Sequence, residues 1–400
     1  MSEWKRITLE EASLDGGHYG IGAAAVEYDP DLPTYLRITD IRDDGTIIKD
    51  GLKSVDADEA CEYYLKPNDL VVARTGASTG RNYFYDGRDG ELVYAGFLIR
   101  FSIDERKIWP AYVKYWFQSP EYKTWLQNHT DGSTRANINA KTLGECPIYY
   151  PPSIATQRKI AVVLGALDDK IENNRKICAN LEAQVQAIFK SWFVDDAKHI
   201  RETVQMQKVF DVTIGRTPPR KESEWFSENK DDNHVWVSIA DMGSCGAFIF
   251  DSSEYLTDEA IRSFNFKVVP QDTVLLSFKL TVGRVAIATT DLVTNEAIAH
   301  LRSSDTRLKE YLYCYLKQFN YDNLGSTSSI ATAVNSTTIK EMPFVVPEDG
   351  ALNDFHQLVK PLFNQIRVLL FESRALAATR DALLPKLMSG EIDVEKVEVA

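Results

Sequence analysis

Residues 160–192, IAVVLGALDDKIENNRKICANLEAQVQAIFKSW, contain the pattern that decides the fold. Apolar residues recur there at alternating steps of four and three, which places them along one side of a helix. No proline lies between Ser153 and Phe193, so we predict one uninterrupted helix. Apart from Asn174 the seam is apolar, and its members are Ile160, Leu164, Leu167, Ile171, Asn174, Cys178, Leu181, Val185, Ile188 and Trp192.

The last fifty residues repeat this spacing. The second seam is apolar except at two positions and consists of Phe355, Val359, Leu362, Ile366, Leu369, Ser373, Leu376, Arg380, Leu383 and Leu387. Two helices with matching seams are expected to pack together, and an antiparallel pair would form a rod of about 48 Å. The alternative is that each is an ordinary core helix. Pro361 predicts either a bend or a helix that starts just before it.

The remainder of the chain is also duplicated. Residues 139–147 (NAKTLGECP) match residues 335–343 (NSTTIKEMP), and residues 67–69 and 80–81 have counterparts at 270–272 and 283–284. The matches keep the same order at a nearly constant offset, which indicates two similar domains.

Each half of the chain begins with short strands bounded by turn residues. Residues 69–73 and 273–277 are typical of buried strands, and residues 111–117 and 310–316 are typical of short helices. The sequence therefore predicts an α+β fold with an internal pseudo-twofold repeat. Two similar domains with mixed β-sheet would be separated by two long helices that form an antiparallel coiled coil.

Composition excludes several classes of protein. The sequence contains no run of 18 apolar residues, so it predicts no membrane span. The N-terminus lacks the apolar core of a signal peptide. The five cysteines are widely spaced, which favours a reduced, cytoplasmic protein. The six histidines have no metal-ligand spacing, and no nucleophile, dinucleotide or phosphate-loop motif is complete. We expect no catalytic residue, no metal and no cofactor in this chain.

Several segments resemble a known family, the specificity (S) subunits of Type I restriction-modification systems. The resemblance covers essentially the whole chain. It rests on the alternation of domain and helix and on residues 157–174, 191–195, 214–220, 236–242 and 383–392, which read QRKIAVVLGALDDKIENN, SWFVD, IGRTPPR, WVSIADM and LLPKLMSGEI. One departure is Asn68, which stands where glycine is common.

The resemblance implies a DNA-recognition subunit without catalytic activity. Residues 1–152 and 199–350 would be target-recognition domains, each reading one half of a bipartite site in double-stranded DNA. Residues 153–198 would be the central spacer helix, and residues 351–400 would be the C-terminal spacer helix and tail. The helices would set the gap between the half-sites. Two methyltransferase (modification) subunits would carry S-adenosylmethionine, and restriction subunits would bring ATP and Mg.

Base and phosphate contacts require polar or basic side chains on loops that can enter a groove. Candidates in the first domain are Tyr19, Gly20, Arg74, Thr75, Ser78, Thr79, Arg81, Ser133, Thr134, Arg135 and Asn137. Candidates in the second are Arg216, Thr217, Arg220, Lys279, Thr281, Arg284, Ser326, Thr327 and Ser328. Asn139 and Asn335 occur in both halves, so we predict a structural role for them.

The charge does not by itself favour a DNA partner. The chain has 45 Lys and Arg against 58 Asp and Glu, a net charge of −13. The acidity lies in the two domains, because residues 1–150 carry 17 basic and 24 acidic side chains and residues 201–350 carry 15 and 21. We therefore predict that the isolated chain binds DNA weakly. Alternatives are a stand-alone methyltransferase, a stand-alone DNA-binding protein with two heads, and a scaffold for two other partners.

Overall fold

A computed structural model of the chain describes residues 4–130, 136–196, 199–231, 233–324 and 335–397. The chain forms two compact units, one of residues 1–169 with 376–400 and one of residues 170–375. Each unit contains one copy of the duplicated domain and a part of each long helix.

The first unit contains a central four-stranded sheet in the order β2-β9-β6-β7, a second sheet in the order β3-β5-β4-β8, and the pair β1-β10. Its strands are β1 (Lys5–Thr8), β2 (Ser13–Tyr19), β3 (Ala25–Val26), β4 (Thr34–Leu36), β5 (Lys53–Val55), β6 (Asp69–Ala73), β7 (Asn82–Tyr85), β8 (Leu92–Tyr94), β9 (Leu98–Ile103) and β10 (Pro147–Tyr150). The helices of this part of the sequence are α1 (Leu9–Ala12), α2 (Pro110–Trp116), α3 (Pro120–His129), α4 (Ala140–Gly144) and the long α5 (Ile154–Lys190).

The second unit contains sheets in the orders β12-β20-β17-β18-β15 and β13-β16-β14-β19, and the pair β11-β21. Its strands are β11 (Ile200–Gln205), β12 (Asp211–Ile214), β13 (Phe226–Ser227), β14 (His234–Val237), β15 (Phe248–Ile249), β16 (Tyr255–Leu256), β17 (Val274–Ser277), β18 (Val285–Ala288), β19 (Val293–Thr294), β20 (Ile298–Arg302) and β21 (Pro343–Pro347). The remaining helices are α6 (Ile239–Met242), α7 (Asp258–Ser263), α8 (Leu308–Gln318), α9 (Ser336–Glu341) and the long α10 (Asp349–Met388).

The two units share one topology, which confirms the predicted duplication. The antiparallel order β2-β9-β6-β7 corresponds to β12-β20-β17-β18, and the parallel pair β4-β8 corresponds to β14-β19. The strand pairs β1-β10 and β11-β21 also correspond. In the described residues the second central sheet has an additional parallel strand, β15, beside β18.

Each central sheet is covered by a short helix that the sequence predicts. Tyr112, Val113 and Trp116 of α2 are buried with the first sheet, as Tyr311 and Leu312 of α8 are with the second. The Tyr112 hydroxyl donates to the Tyr149 carbonyl at 2.7 Å, and the Tyr311 hydroxyl donates to the Val345 carbonyl at 2.9 Å. A buried phenol needs such an acceptor, so the same helix-to-strand hydrogen bond stabilises both units.

The long helices α5 and α10 have 37 and 40 residues. Every residue of both predicted seams is buried or half-buried. The prediction of a helix start just before Pro361 is wrong, because α10 begins at Asp349 and continues through the proline. Pro361 lies on the exposed side of the helix, where its ring does not displace core side chains.

The two helices run antiparallel within each unit. In the first unit Asp168 of α5 pairs with Arg380 of α10 at 2.9 Å, and Lys159 pairs with Glu395, which follows the end of α10, at 2.9 Å. In the second unit Asn174 contacts Ser373 at 3.3 Å, and the Cys178 Sγ lies 3.8 Å from the Ile366 carbonyl. As the residue numbers rise along α5, those of the partner segment fall.

The polar residues of the two seams form contacts that favour one register of the helices. The buried amide of Asn174 donates to the Glu372 carboxylate at 2.7 Å and to the Ser373 hydroxyl. Burial alone would raise the pKa of Asp168, but the charge of Lys114 and hydrogen bonds from Lys114, Arg380 and Tyr115 outweigh it and lower that pKa. A shift in register would leave these buried polar groups unpaired, at a cost of about 1–3 kcal/mol each.

Candidate nucleic-acid interface

One edge of the first central sheet, where β2 and β6 end and β9 starts, brings together loops that are distant in the sequence. Tyr19 at the end of β2 faces Ile99, and Ala73 at the end of β6 faces Leu98 at the start of β9. The turn after β2, the hairpin of residues 74–81 and the turn before β9 therefore lie side by side. The turn after β2 and the hairpin contain residues that the sequence predicts to contact DNA. The turn before β9, residues 96–97, was not predicted.

Four of the predicted residues meet at this edge. The Arg74 guanidinium lies 4.9 Å from the centroid of the Tyr19 ring, and Thr75 pairs with Asn137 in an isolated antiparallel bridge. The Arg74 amide donates to the carbonyl of Phe97, whose side chain is 58% exposed. The edge thus combines a cation, hydroxyl and amide groups with an exposed aromatic ring, which are the groups that contact phosphates and bases.

Other candidates in this hairpin are engaged within the protein. Ser78 is buried, and the Thr79 hydroxyl donates to the carbonyls of Gly76 and Ala136 at 2.8 and 3.0 Å. The Arg81 guanidinium pairs with the Asp43 carboxylate at 2.7 Å. These three side chains therefore stabilise the hairpin from within the protein and are not free to contact DNA.

The second central sheet has the same edge. Ile214 at the end of β12 faces Ala299, and Ser277 at the end of β17 faces Ile298 at the start of β20. The turn of residues 215–220 and the hairpin of residues 278–284 therefore lie together, as the corresponding loops do in the first unit.

A glycine occupies the same place at both edges. The Gly20 amide donates to the Leu98 carbonyl at 3.2 Å, and the Gly215 amide donates to the Ile298 carbonyl at 3.2 Å. A Cβ atom on Gly20 would lie 2.2 Å from the Tyr94 carbonyl oxygen, and one on Gly215 would lie 2.1 Å from the Thr294 Oγ1. Both turns therefore require glycine for packing. The matches between the two halves of the sequence did not identify Gly20 and Gly215 as equivalent.

The hairpin after β17 presents Lys279 and Thr281 to solvent. The Ser277 hydroxyl donates to the Thr281 carbonyl at 2.6 Å and accepts from the Arg284 amide at 3.0 Å, so the loop is held across its base. Leu280 at the tip is 97% exposed and has a positive φ of 61°. The Arg284 guanidinium donates to the Ile239 carbonyl at 2.6 Å, so it is directed into the unit.

The turn of residues 216–220 contains one available cation and one engaged cation. Arg216 is exposed, with one N–H donating to the Phe264 carbonyl at 2.7 Å. Arg220 lies over the rings of Phe226 and Trp236 at 4.5 and 4.6 Å and pairs with Glu254. The Thr217 hydroxyl donates to the carboxylate of Glu296.

A buried histidine lies beneath this edge. The two ring nitrogens of His300 contact the hydroxyls of Thr213 and Thr294 at 2.9 and 2.8 Å. Burial lowers the pKa of His300 to about 4, so the imidazole is neutral at pH 7. A neutral imidazole donates through one nitrogen and accepts through the other, which positions both hydroxyls.

Some predicted residues lie outside the described part of the chain: Ser133, Thr134, Arg135, Ser326, Thr327 and Ser328. The structural role of the asparagines at the end of each loop is confirmed. The Asn139 side chain accepts from the Thr142 amide at 2.8 Å, and the Asn335 side chain accepts from the Thr338 amide at 2.9 Å. Both asparagines are helix N-caps, of α4 and α9.

The chain matches the family described as Type I restriction modification DNA specificity domain over residues 34–183 and again over residues 201–358. The chain belongs to this family. It is 27% identical over 392 residues to the MjaIX specificity subunit of Methanocaldococcus jannaschii, an alignment that covers 92% of this chain and 86% of that protein. It is 23% identical over 408 residues to the HindI specificity subunit of Haemophilus influenzae, covering 82% and 87%.

The fold agrees with this assignment. The crystal structure of a Type I restriction-modification S subunit from M. genitalium superposes with a TM-score of 0.53 and 15% identity over 96% of each chain. The chain is thus a Type I specificity subunit with two DNA specificity domains, a recognition component and not a catalytic one. None of the helices in the described ranges combines the length and apolarity needed to cross a bilayer.

Proposed function

We propose that each unit reads one half of a bipartite site in double-stranded DNA through its sheet edge. The observation that carries this proposal is the convergence of the turn after β2 or β12 with the hairpin after β6 or β17. Side chains on rigid loops of this kind can reach base edges in a groove. The two edges share a backbone plan but differ in their side chains, as the reading of two different half-sites requires.

The pairing of α5 with α10 would set the gap between the half-sites. Its support is the paired polar layer at Asn174 and Ser373 and the ion pair of Asp168 with Arg380, each of which defines one register within its unit. A helix pair with a fixed register has a fixed length, so the number of base pairs between half-sites would be fixed too.

The chain would act by recruiting two modification subunits in the cytoplasm. The long helices carry exposed apolar side chains, with Val162 on α5 at 49% and Val368 and Phe371 on α10 at 60% and 63%. Val368 and Phe371 lie one turn apart on α10 and form an exposed apolar patch, and such patches favour protein contacts. S-adenosylmethionine would bind the modification subunits, which would methylate a flipped adenine. ATP and Mg would bind the restriction subunits.

The test is a map of methylated adenines in DNA from a strain that expresses this chain with its modification subunit and lacks other adenine methyltransferases. We expect one asymmetric motif of two short specified parts with a constant gap. A chimera in which residues 201–348 come from another specificity subunit should change one part and leave the other. A motif without a gap, or methylation by this chain alone, would contradict the proposal.

A further inference from the structure

An open cleft of about 300 Å³ lies beside β12 in the second unit. Strand β12 and the Gly215–Arg216 turn form one wall, and residues 265–267, Thr294 and helix α9 form the others. The cleft therefore adjoins the sheet edge that we propose reads DNA. None of its basic residues other than Arg216 was singled out from the sequence.

Three basic side chains line this cleft: Arg216, Lys267 and Lys340. All three are exposed, and none forms an ion pair with a described residue. No carboxylate is among the described lining residues. Glu296 lines a neighbouring cleft that also contains Arg216, and its carboxylate accepts from Thr217.

This concentration of unpaired cations differs from the rest of the unit. Residues 201–350 contain 21 acidic and 15 basic side chains. Elsewhere in the unit several cations are paired with carboxylates; for example, Lys230 pairs with Asp251 at 3.0 Å and Lys309 pairs with Asp272 at 2.8 Å. Three like charges around one cleft repel one another, so an anion between them would be stabilising.

One further polar group of the cleft suits an oxyanion. The exposed Ser336 hydroxyl lines the cleft and forms no hydrogen bond with a described residue, so its proton is available to an oxyanion. An arginine can bind two phosphate oxygens at once, and lysines supply point charges around them.

We infer that this cleft binds a phosphodiester group of the DNA backbone and so anchors the half-site read by the second unit. The inference rests on the proposed function, because the adjoining edge would hold the duplex whose backbone enters the cleft. Phosphate contacts set the position and orientation of the duplex and do not discriminate between sequences. Lys267 and Lys340 would therefore contribute affinity and leave specificity unchanged.

The test uses the full-length chain assembled with its modification subunits. Binding is measured against salt concentration for a duplex that contains the methylated motif and for a scrambled duplex. In the Lys267→Gln, Lys340→Gln double variant, the slope of log affinity against log salt should become shallower by about two, because each lost phosphate contact removes about 0.9. Affinity should fall by a similar factor on both duplexes.

Three controls separate the alternatives. Lys360→Gln removes one exposed charge from α10 of the same unit and should leave the slope unchanged. The Lys267→Arg, Lys340→Arg variant keeps both charges and should restore the slope. An unchanged slope in the double glutamine variant, or a changed preference between the two duplexes, would overturn the inference.

Two further outcomes distinguish a failure of this inference from a failure of the proposed function. If inorganic phosphate raises the melting temperature of the wild-type chain but not of the glutamine variant, while the DNA slope is the same for both, the cleft binds a free anion and the inference is wrong. If the wild-type complex does not prefer the motif-containing duplex, the proposed function itself fails.

Discussion

The residues at the two sheet edges fall into two groups, those that stabilise the loops and those whose side chains remain available to contact DNA. Ser78, Thr79, Arg81 and Arg284 are buried or bonded within their units, whereas Arg74, Thr75, Lys279 and Thr281 are not tied to acidic side chains. We expect substitutions in the first group to reduce stability and substitutions in the second to reduce DNA affinity.

The Gly20→Ala substitution should destabilise the first unit. The new Cβ would lie within 2.4 Å of the carbonyl oxygens of Tyr94 and Ala95, and these belong to the backbone and cannot rotate away. We expect a loss of about 1–3 kcal/mol in the free energy of unfolding, measured by urea denaturation. Gly22→Ala is the matched control, because no atom lies within 4 Å of its added Cβ. Equal stability of the two variants would contradict this packing requirement.

His300 should make the second unit less stable in mild acid. Its pKa is lowered to about 4 in the folded protein, against about 6.5 when unfolded, because burial disfavours the charged ring. Between these values the unfolded chain binds a proton that the folded chain does not, so stability falls as pH drops from about 6.5 to 4. The loss would reach up to about 3 kcal/mol.

The measurement for His300 is urea unfolding at pH 7 and pH 5. The His300→Gln variant keeps a donor and an acceptor for Thr213 and Thr294 but does not titrate in this range. Its stability should depend less on pH than that of the wild-type chain. The same pH dependence in both proteins would show that His300 is not the responsible group.

Among the elements, the two long helices carry the strongest restraint on register. Their apolar seams would tolerate a shift of one heptad, but the contacts of Asn174 with Ser373 and of Asp168 with Arg380 would not. The helix pair therefore has one length and one alignment within each unit.

A heptad inserted in both helices should change the DNA gap. Seven residues after Ala179 and seven after Gln365 preserve the seams and lengthen each helix by about 10 Å, or about three base pairs. The methylated motif should acquire a longer gap, or methylation should be lost because the half-sites no longer face both units. Insertion in α5 alone should disrupt the pairing and lower the melting temperature. A double insertion that leaves the gap unchanged would rule out the helices as the determinant of spacing.

For the whole molecule, the net charge of −13 opposes association with a polyanion. Several arginines that could offset it, including Arg81 and Arg220, are paired with carboxylates inside their units. Exposed cations without a carboxylate partner include Lys279 and the three that line the cleft beside β12. The modification subunits would therefore supply much of the phosphate neutralisation.

The isolated chain should bind duplex DNA weakly, with a Kd of about micromolar or higher at physiological salt. Assembly with the modification subunits should tighten binding and make the salt dependence steeper, because more phosphates are then neutralised. Fluorescence anisotropy with and without the modification subunits measures both quantities. Nanomolar, salt-tolerant binding by the chain alone would contradict this expectation.

The periodicity and the internal repeat were sufficient to predict the fold. The seams at alternating steps, the strands at residues 69–73 and 273–277 and the caps at Asn139 and Asn335 follow from local spacing and local hydrogen bonding. The sequence left the start of α10 open around Pro361, because an exposed proline can be accommodated within a helix once the opposite face is packed.

The tertiary structure alone decided which loops meet and which side chains are available. The sheet order places the ends of β12, β17 and the start of β20 together, so that Gly215 and the hairpin after Ser277 form one edge. It also gathers Arg216, Lys267 and Lys340 around one cleft, although the acidic composition gave no sign of it. Sequence spacing records which residues share a helix or strand face. Proximity between distant segments depends on strand order and packing, which only the folded chain defines.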